Sequence, residues 1–184
     1  ASPSPPAGGT ISVFLPKKAP AGLTGCDISE AMLERLREKH PRAAVHLIRD
    51  PFLPFQPAAS VDLLFSTLTI GHAPELLPVL GEWNRVLRPG GRLLLTGNHP
   101  AALLAGAERA FRQGGRTYRI RNHVHTFDEI QEALTAFGWR EEAFREEAVS
   151  EADVSFFEKA GDLDSFHKII GRPVVYGMRW KKPG

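Results

Sequence analysis

The sequence predicts an α/β sandwich with a mainly parallel sheet and antiparallel strands added at its end. Three observations lead there. Strand-type runs alternate with helix-type segments along most of the chain. Residues 61–66 form an apolar run of the kind buried on both faces of a parallel sheet. The polar-alternating segment 139–149 and the run 173–180 then supply two closing strands.

Taken in order, residues 1–9 are rich in Pro, Gly and Ser and read as loop or tail. Residues 23–26 are a strand, and Ser29 caps a helix running to Lys39, with Ile28 and Leu33 placed as a hydrophobic staple. Residues 43–48 form the next strand, followed by Asp50-Pro51-Phe52 and then the strand 61–66. Leu76, Leu80, Trp83 and Leu87 recur at helical spacing, so 75–87 is an amphipathic helix. Arg88-Pro89-Gly90-Gly91 stops it: Pro89 cannot continue a helix, and the glycines permit the positive φ needed to reverse the chain. A strand follows over 92–96. Residues 100–113 read as helix and 118–125 as an exposed strand or arm. Thr126-Phe127-Asp128-Glu129 is a capping box opening a helix with Phe127, Ile130, Leu134 and Phe137 on one face, and Gly138 ends it. Ser150 caps a short helix carrying Phe156 and Phe157. No internal repeat or low-complexity linker divides residues 1–184, which read as one domain.

Composition narrows the function. With 42% hydrophobic residues in 184, one sizeable core is expected. Lys+Arg 23 against Asp+Glu 21 leaves a formal charge of +2, too balanced to argue for nucleic acid, and the short basic stretches 116–121 and 179–182 read as solvated strand ends. A single cysteine, Cys26, excludes an internal disulfide and a cysteine metal cluster, which fits a reducing cytoplasm. No apolar run reaches membrane-spanning length, so neither a membrane nor a nucleic-acid partner is expected.

The segment 23–32 carries the most chemical information. Its strand runs out into Asp27 just before a helix, and open α/β sheets bind ligands at the carboxyl ends of their strands. A carboxylate there can accept from both hydroxyls of a ribose. The alternative, an aspartate that only caps the following helix, is weakened because Ser29 is available for that role.

Gly25-Cys26-Asp27-Ile28-Ser29-Glu30-Ala31-Met32-Leu33 resembles the second motif of class I S-adenosylmethionine-dependent methyltransferases, in which the acid holds the ribose. Asp50-Pro51-Phe52-Leu53-Pro54-Phe55 resembles that family's adenine-contacting segment. Residues 60–66 with Ile70-Gly71-His72-Ala73-Pro74 resemble its fourth-strand segment, and residues 85–93 its helix-to-strand turn. Order and spacing agree from Leu23 to Asn98, and the subgroup most similar is that of the small-molecule enzymes related to ubiquinone and menaquinone biosynthesis.

The resemblance implies a Rossmann-like methyltransferase sandwich, S-adenosylmethionine as cofactor and a small organic molecule as methyl acceptor. It places Asp27, Ile28 and Met32 along the ribose, and Asp50, Pro51 and Phe52 along the adenine. Asp50 would accept from the adenine amino group and Phe52 would cover the purine face, although ordinary core packing explains a phenylalanine equally well. Ser66 and Leu68 would offer backbone groups to the amino-acid end. Residues 101–125 and 150–170 would cover the acceptor. The sulfonium is an already activated donor, so no particular catalytic residue is demanded.

The family's first strand and glycine-rich turn are where this chain departs. Gly8-Gly9-Thr10 resembles a remnant of the turn that meets the cofactor, but Ile11 stands where a further glycine is expected, and residues 13–16 resemble the helix after it. Pro3, Pro5 and Pro6 exclude a central strand upstream. Residues 10–15 have strand composition, yet 16–22 are too short for a crossover to a parallel neighbour, which needs about a dozen residues. Three arrangements meet the need: a truncated chain, a strand lent by another copy in a homodimer, or direct pairing of the flanking strands.

His72 follows the strand that would face the methyl group and is a candidate general base, against the ordinary reading of a solvated loop histidine. His123 and His125 share one side of the possible strand, but no third ligand accompanies them at metal-binding spacing. Three functions remain open: a small-molecule methyltransferase, a methyltransferase-like regulatory or assembly protein without catalysis, and a nicotinamide-dependent oxidoreductase. The last lacks its Gly-x-Gly-x-x-Gly turn.

Overall fold

A computed structural model describes residues 22–104, 109–113, 116–120 and 122–184. Gly8, Gly9 and Thr10, with the whole question of a strand over 10–15, lie outside the described residues.

The chain begins with strand β1, Thr24–Asp27, helix α1, Glu30–Lys39, and strand β2, Ala44–Leu47. β1 and β2 pair in parallel, with Asp27 opposite Leu47. Strand β3, Val61–Thr67, leads through a short 3-10 turn, Ile70–His72, into helix α2, Leu76–Val86. The strand β4, Leu87–Asn98, runs parallel to β3. Its register jumps from Val61↔Leu87 to Leu63↔Arg92, so Arg88 to Gly91 loop out within the strand rather than before it. Gly90 there has φ +73, a conformation glycine adopts without steric cost.

The second half opens with a short helix α3, Pro100–Leu104, and an antiparallel hairpin of β5, Arg109–Gln113, and β6, Arg116–Ile120. This corrects the expected helix over 100–113. Register pairs Gln113 with Arg116, which leaves two residues between the strands, and the sequence there is Gly-Gly, a hairpin signal that outweighs the helix-like composition before it. His123 and His125 fall after the strand, not on it. Helix α4, Phe127–Ala136, starts with the expected capping box: the Glu129 amide donates to Thr126 Oγ1 at 3.2 Å and the Thr126 amide to Glu129 Oε2 at 2.7 Å. Strand β7, Arg140–Ala148, helices α5, Val154–Ala160, and α6, Leu163–Ile169, and strand β8, Pro173–Lys181, complete the chain.

Two sheets hold the nucleus of the fold: β1–β2, and β3–β4–β8–β7 with β8 and β7 antiparallel. The expected direct pairing of β1 with β3 is thereby overturned. Among the described residues β1 pairs only with β2, and β3 only with β4 on that side.

The core lies against the larger sheet, where Leu80 and Trp83 of α2 and Ile130 and Leu134 of α4 cover Leu93, Leu95, Met178 and Trp180. Each leucine so buried contributes about 1.5–3 kcal/mol. β3 is not buried on both faces as its composition suggested. Leu63 is 41% exposed, and among the described residues β3 pairs with no strand besides β4. No described helix is long and apolar enough to cross a membrane.

Candidate functional site

The carboxyl end of β1 places Asp27 at the site. Strand alternation turns Gly25 and Asp27 inward, and Asp27 is only 5% exposed. Its Oδ1 accepts from the Ser29 amide at 2.7 Å, at the start of α1. Ser29 itself makes no side-chain capping bond. The division of labour expected between the two residues is therefore corrected: the aspartate holds the chain at the helix entrance, and it does so from a buried position. The neighbouring Cys26 thiol is pushed up to about 12 by burial and by the Asp27 charge.

Asp27 lines a cavity of about 1000 Å³, at the upper end of small-molecule sites. Its wall takes in Ile28, Asp50, Pro51, Phe52, Ser66 and His72. Thus residues as distant in sequence as Asp27 and Ser66 meet round one space, from the ends of β1, β2 and β3. Phe52 is 56% exposed, which rules out core packing and leaves its ring on the cavity side. Asp50 is exposed, and its Oδ1 accepts from the Phe52 amide at 2.9 Å, which sets the turn that presents the ring.

Two expected contributors stand apart from this cavity. Met32, on α1, does not line it. Leu68 lines a smaller cavity instead, and its amide donates to the Thr96 carbonyl at 2.9 Å, so that amide is not available to a ligand. Leu68 also has φ +56, a strained conformation for a branched side chain, at the turn where β3 leaves the sheet. Ser66 is 2% exposed and its hydroxyl shares a hydrogen bond with Thr69 at 2.9 Å. Of the expected acceptor cover, Leu103, His123 and His125 line the smaller cavity. Residues 150–170 line neither, since α5 and α6 close on each other through Phe157 and Phe166 at the outer edge beside β7 and β8. Among the described residues no group of His, Cys, Asp and Glu is arranged to hold a metal ion.

What sequence reasoning missed is the support beneath Phe52. The buried Glu82 carboxylate accepts from the Leu53 amide at 2.6 Å and from Arg85 at 2.7 and 2.8 Å. Arg85 also donates to the carbonyls of Leu53 and Gln56. These Arg85 hydrogen bonds hold the Glu82 carboxyl below the ordinary carboxylate range. At its other side the segment is fixed by Phe55, stacked on His46 of β2 at 3.7 Å. A Glu–Arg pair three residues apart inside a largely apolar helix was the available signal.

The lining suits an adenosyl group: one buried carboxylate to accept from a diol, an exposed aromatic face, and apolar walls between them. Comparison with known proteins agrees. A family model described as a methyltransferase domain matches residues 6–95. The biotin biosynthesis bifunctional protein BioHC of Cellvibrio japonicus is 35% identical over 106 residues, covering 57% of this chain and 20% of that protein. The 27-O-demethylrifamycin SV methyltransferase of Amycolatopsis mediterranei is 34% identical over 131 residues, covering 66% of this chain and 46% of its own length. The chain therefore spans less than half of either relative. An S-adenosylmethionine-dependent methyltransferase structure from Mesorhizobium loti superposes with a TM-score of 0.66 at 20% identity, covering 89% of this chain and 82% of that one, which establishes likeness of fold.

Proposed function

We propose that the chain is a class I S-adenosylmethionine-dependent methyltransferase, which transfers a methyl group from this cofactor to a small organic acceptor, a reading supported by the family-model match and the relatives. The observation that carries the reading is the buried Asp27 carboxylate at the end of β1, opening on a cavity of about 1000 Å³ whose other wall bears Phe52.

In this reading Asp27 accepts from the ribose hydroxyls through charge-assisted hydrogen bonds, about twice as strong as neutral ones. Asp50 faces the adenine amino group, Phe52 covers the base, and Ile28 and Pro51 wall the nucleoside. Ser66 and Leu68 shape the turn next to the reacting end, and Met32, on α1, is assigned to the ribose side by resemblance alone. Gly8, Gly9 and Thr10 are assigned to the methionine portion by resemblance alone. The bound cofactor supplies an activated methyl group on sulfur. The protein's part is then alignment, which is worth about 7–11 kcal/mol when two reactants are held in a near-attack geometry. His72 lines the same cavity, which supports it as a residue near the acceptor.

A small-molecule acceptor is supported by the relatives, one of which is named for methylating a rifamycin. The near-neutral charge argues against a nucleic-acid substrate, and the single cysteine suits a cytoplasmic setting. Calorimetric titration with S-adenosylmethionine and with a nicotinamide dinucleotide tests the reading. Binding of the first alone, weakened about tenfold or more in Asp27→Ala, is expected. Binding of neither would instead favour the non-catalytic methyltransferase-like protein, and unchanged affinity in the variant would refute the ribose assignment.

A further inference from the structure

Among the described residues β1 pairs with β2 alone and β3 with β4 alone, so each keeps one edge that no described strand covers. Both strands line the large cavity, β1 through Thr24 and Cys26 and β3 through Leu63, Leu64 and Phe65. Exposed edges are ordinarily blunted by charged side chains or proline, because their N–H and C=O groups recruit a further strand. β3 carries a single charge, Asp62, and Arg88 pairs with it at 2.7 Å. Beside apolar side chains, backbone groups left without partners are costly, which makes this edge a template for another strand.

The chain itself holds a segment suited to that place. Gly22 and Leu23 line the same cavity, so the residues before them enter the fold at its wall. Residues 10–15, Thr-Ile-Ser-Val-Phe-Leu, lie outside the described residues and have strand composition with neither proline nor charge. Six extended residues span about 20 Å, close to the length of β3. Residues 16–22, with two prolines and a glycine, are too short for a crossover between parallel neighbours, which takes about a dozen residues. They are long enough, and of the right composition, to reverse the chain. So short a tether holds the segment at an effective concentration of about millimolar, which favours it over the same segment of a second copy.

We propose that residues 10–15 enter this cavity as a strand antiparallel to β1, and that their other edge pairs with β3. The two sheets then join into one. Paired positions in an antiparallel ladder advance in opposite senses. With Leu15 opposite Leu23 or Thr24, Asp27 therefore stands opposite Ile11 or Ser12. Gly8, Gly9 and Thr10 then fall just past the carboxyl end of β1, next to the Asp27 carboxylate, so chain reversal alone carries them to the cofactor. That last step rests on the methyl-transfer reading above, whereas the strand pairing does not.

Nuclear magnetic resonance of the isotope-labelled parent protein tests the pairing without any variant. Cross-strand Hα–Hα contacts between residues 11–14 and 24–27 are expected, since only antiparallel neighbours bring those atoms together. Helical contacts within 11–15, or no contact with β1, would overturn the proposal. An equimolar mixture of labelled and unlabelled protein separates the source of the strand. Contacts confined within one molecule are expected, and contacts between molecules would hand the strand to a second copy and refute the assignment. Val13→Pro removes an amide from the middle of the segment and should lose the contacts, while Ala7→Pro should keep them. Contacts that survive in Val13→Pro count against the pairing. Added S-adenosylhomocysteine should shift the Gly8, Gly9 and Thr10 amide signals of the parent. Strand contacts without any such shift would sink the cofactor step and leave the pairing upheld.

Discussion

The Leu53 amide donates to Glu82 Oε1 at 2.6 Å, joining the loop after β2 to the middle of α2. Leu53 follows Phe52 directly, so the carboxylate of a helix in the larger sheet's layer determines where an aromatic ring stands in the cavity. Replacing Glu82 by Gln should cost about 2 kcal/mol in urea-induced unfolding, the range for a hydrogen bond involving a charged group. It should also weaken cofactor binding through the displaced ring. Unaltered stability would show the contact to be incidental.

The same carboxylate dictates a pH response. Its folded-state pKa is lowered, chiefly by the Arg85 hydrogen bonds, so its stabilisation is fully present above the ordinary value of 4.5 and is lost as pH falls through the lower folded value. Glu129, Glu142 and Asp153 are lowered as well, by the Thr126 cap, by Arg92 and by the Ser150 cap. Denaturation followed from neutral pH down into the acid range should show a decline, shallower in Glu82→Gln but not flat. Identical slopes in parent and variant would contradict the assignment to Glu82.

Phe52 should behave in the opposite manner. With 56% of the residue exposed, Phe52→Ala should leave the melting temperature nearly unchanged yet lower S-adenosylhomocysteine affinity by about 1 kcal/mol, or about fivefold. A variant that melted early with affinity intact would return Phe52 to the core.

Cys26 should be a poor nucleophile. A thiol pushed from 9.0 up to about 12 holds about a thousandfold less thiolate near pH 8. A disulfide reagent should label the folded protein far more slowly than the unfolded one. Equal rates would mean that β1 is open to solvent.

Gly97→Ala should destabilise by about 1–3 kcal/mol, because its new methyl meets the Tyr176 ring and hydroxyl at 2.6–2.7 Å in a packed core. Adding Tyr176→Ala should relieve the clash, leaving the double variant less destabilised than the two single costs summed.

Local chemistry was the legible part of this chain. Thr126 and Glu129 stand three apart before an apolar face, and they form the capping box that spacing demands. Asp27 was readable because a strand end, an acid and a helix start fall within a few residues. The Gly-Gly between β5 and β6 was equally readable, but the helical composition before it concealed the hairpin. Long-range pairings were not legible. Glu82 reaches Leu53 across 29 positions and Phe55 meets His46 face to face, and neither pattern leaves a periodic trace in sequence. Burial of β3 was overread, since an apolar run says what a strand can bury and not whether a neighbour is there to cover it.

The short segment from Asp50 to Gln56 is pinned at one side by the stack on His46 and at the other by the guanidinium of Arg85. It works as a buckle between two β layers that share no hydrogen-bonded strand among the described residues. A guest leaning on Phe52 pulls that buckle tight, so its arrival should be felt as cohesion throughout the molecule, well beyond the atoms it touches.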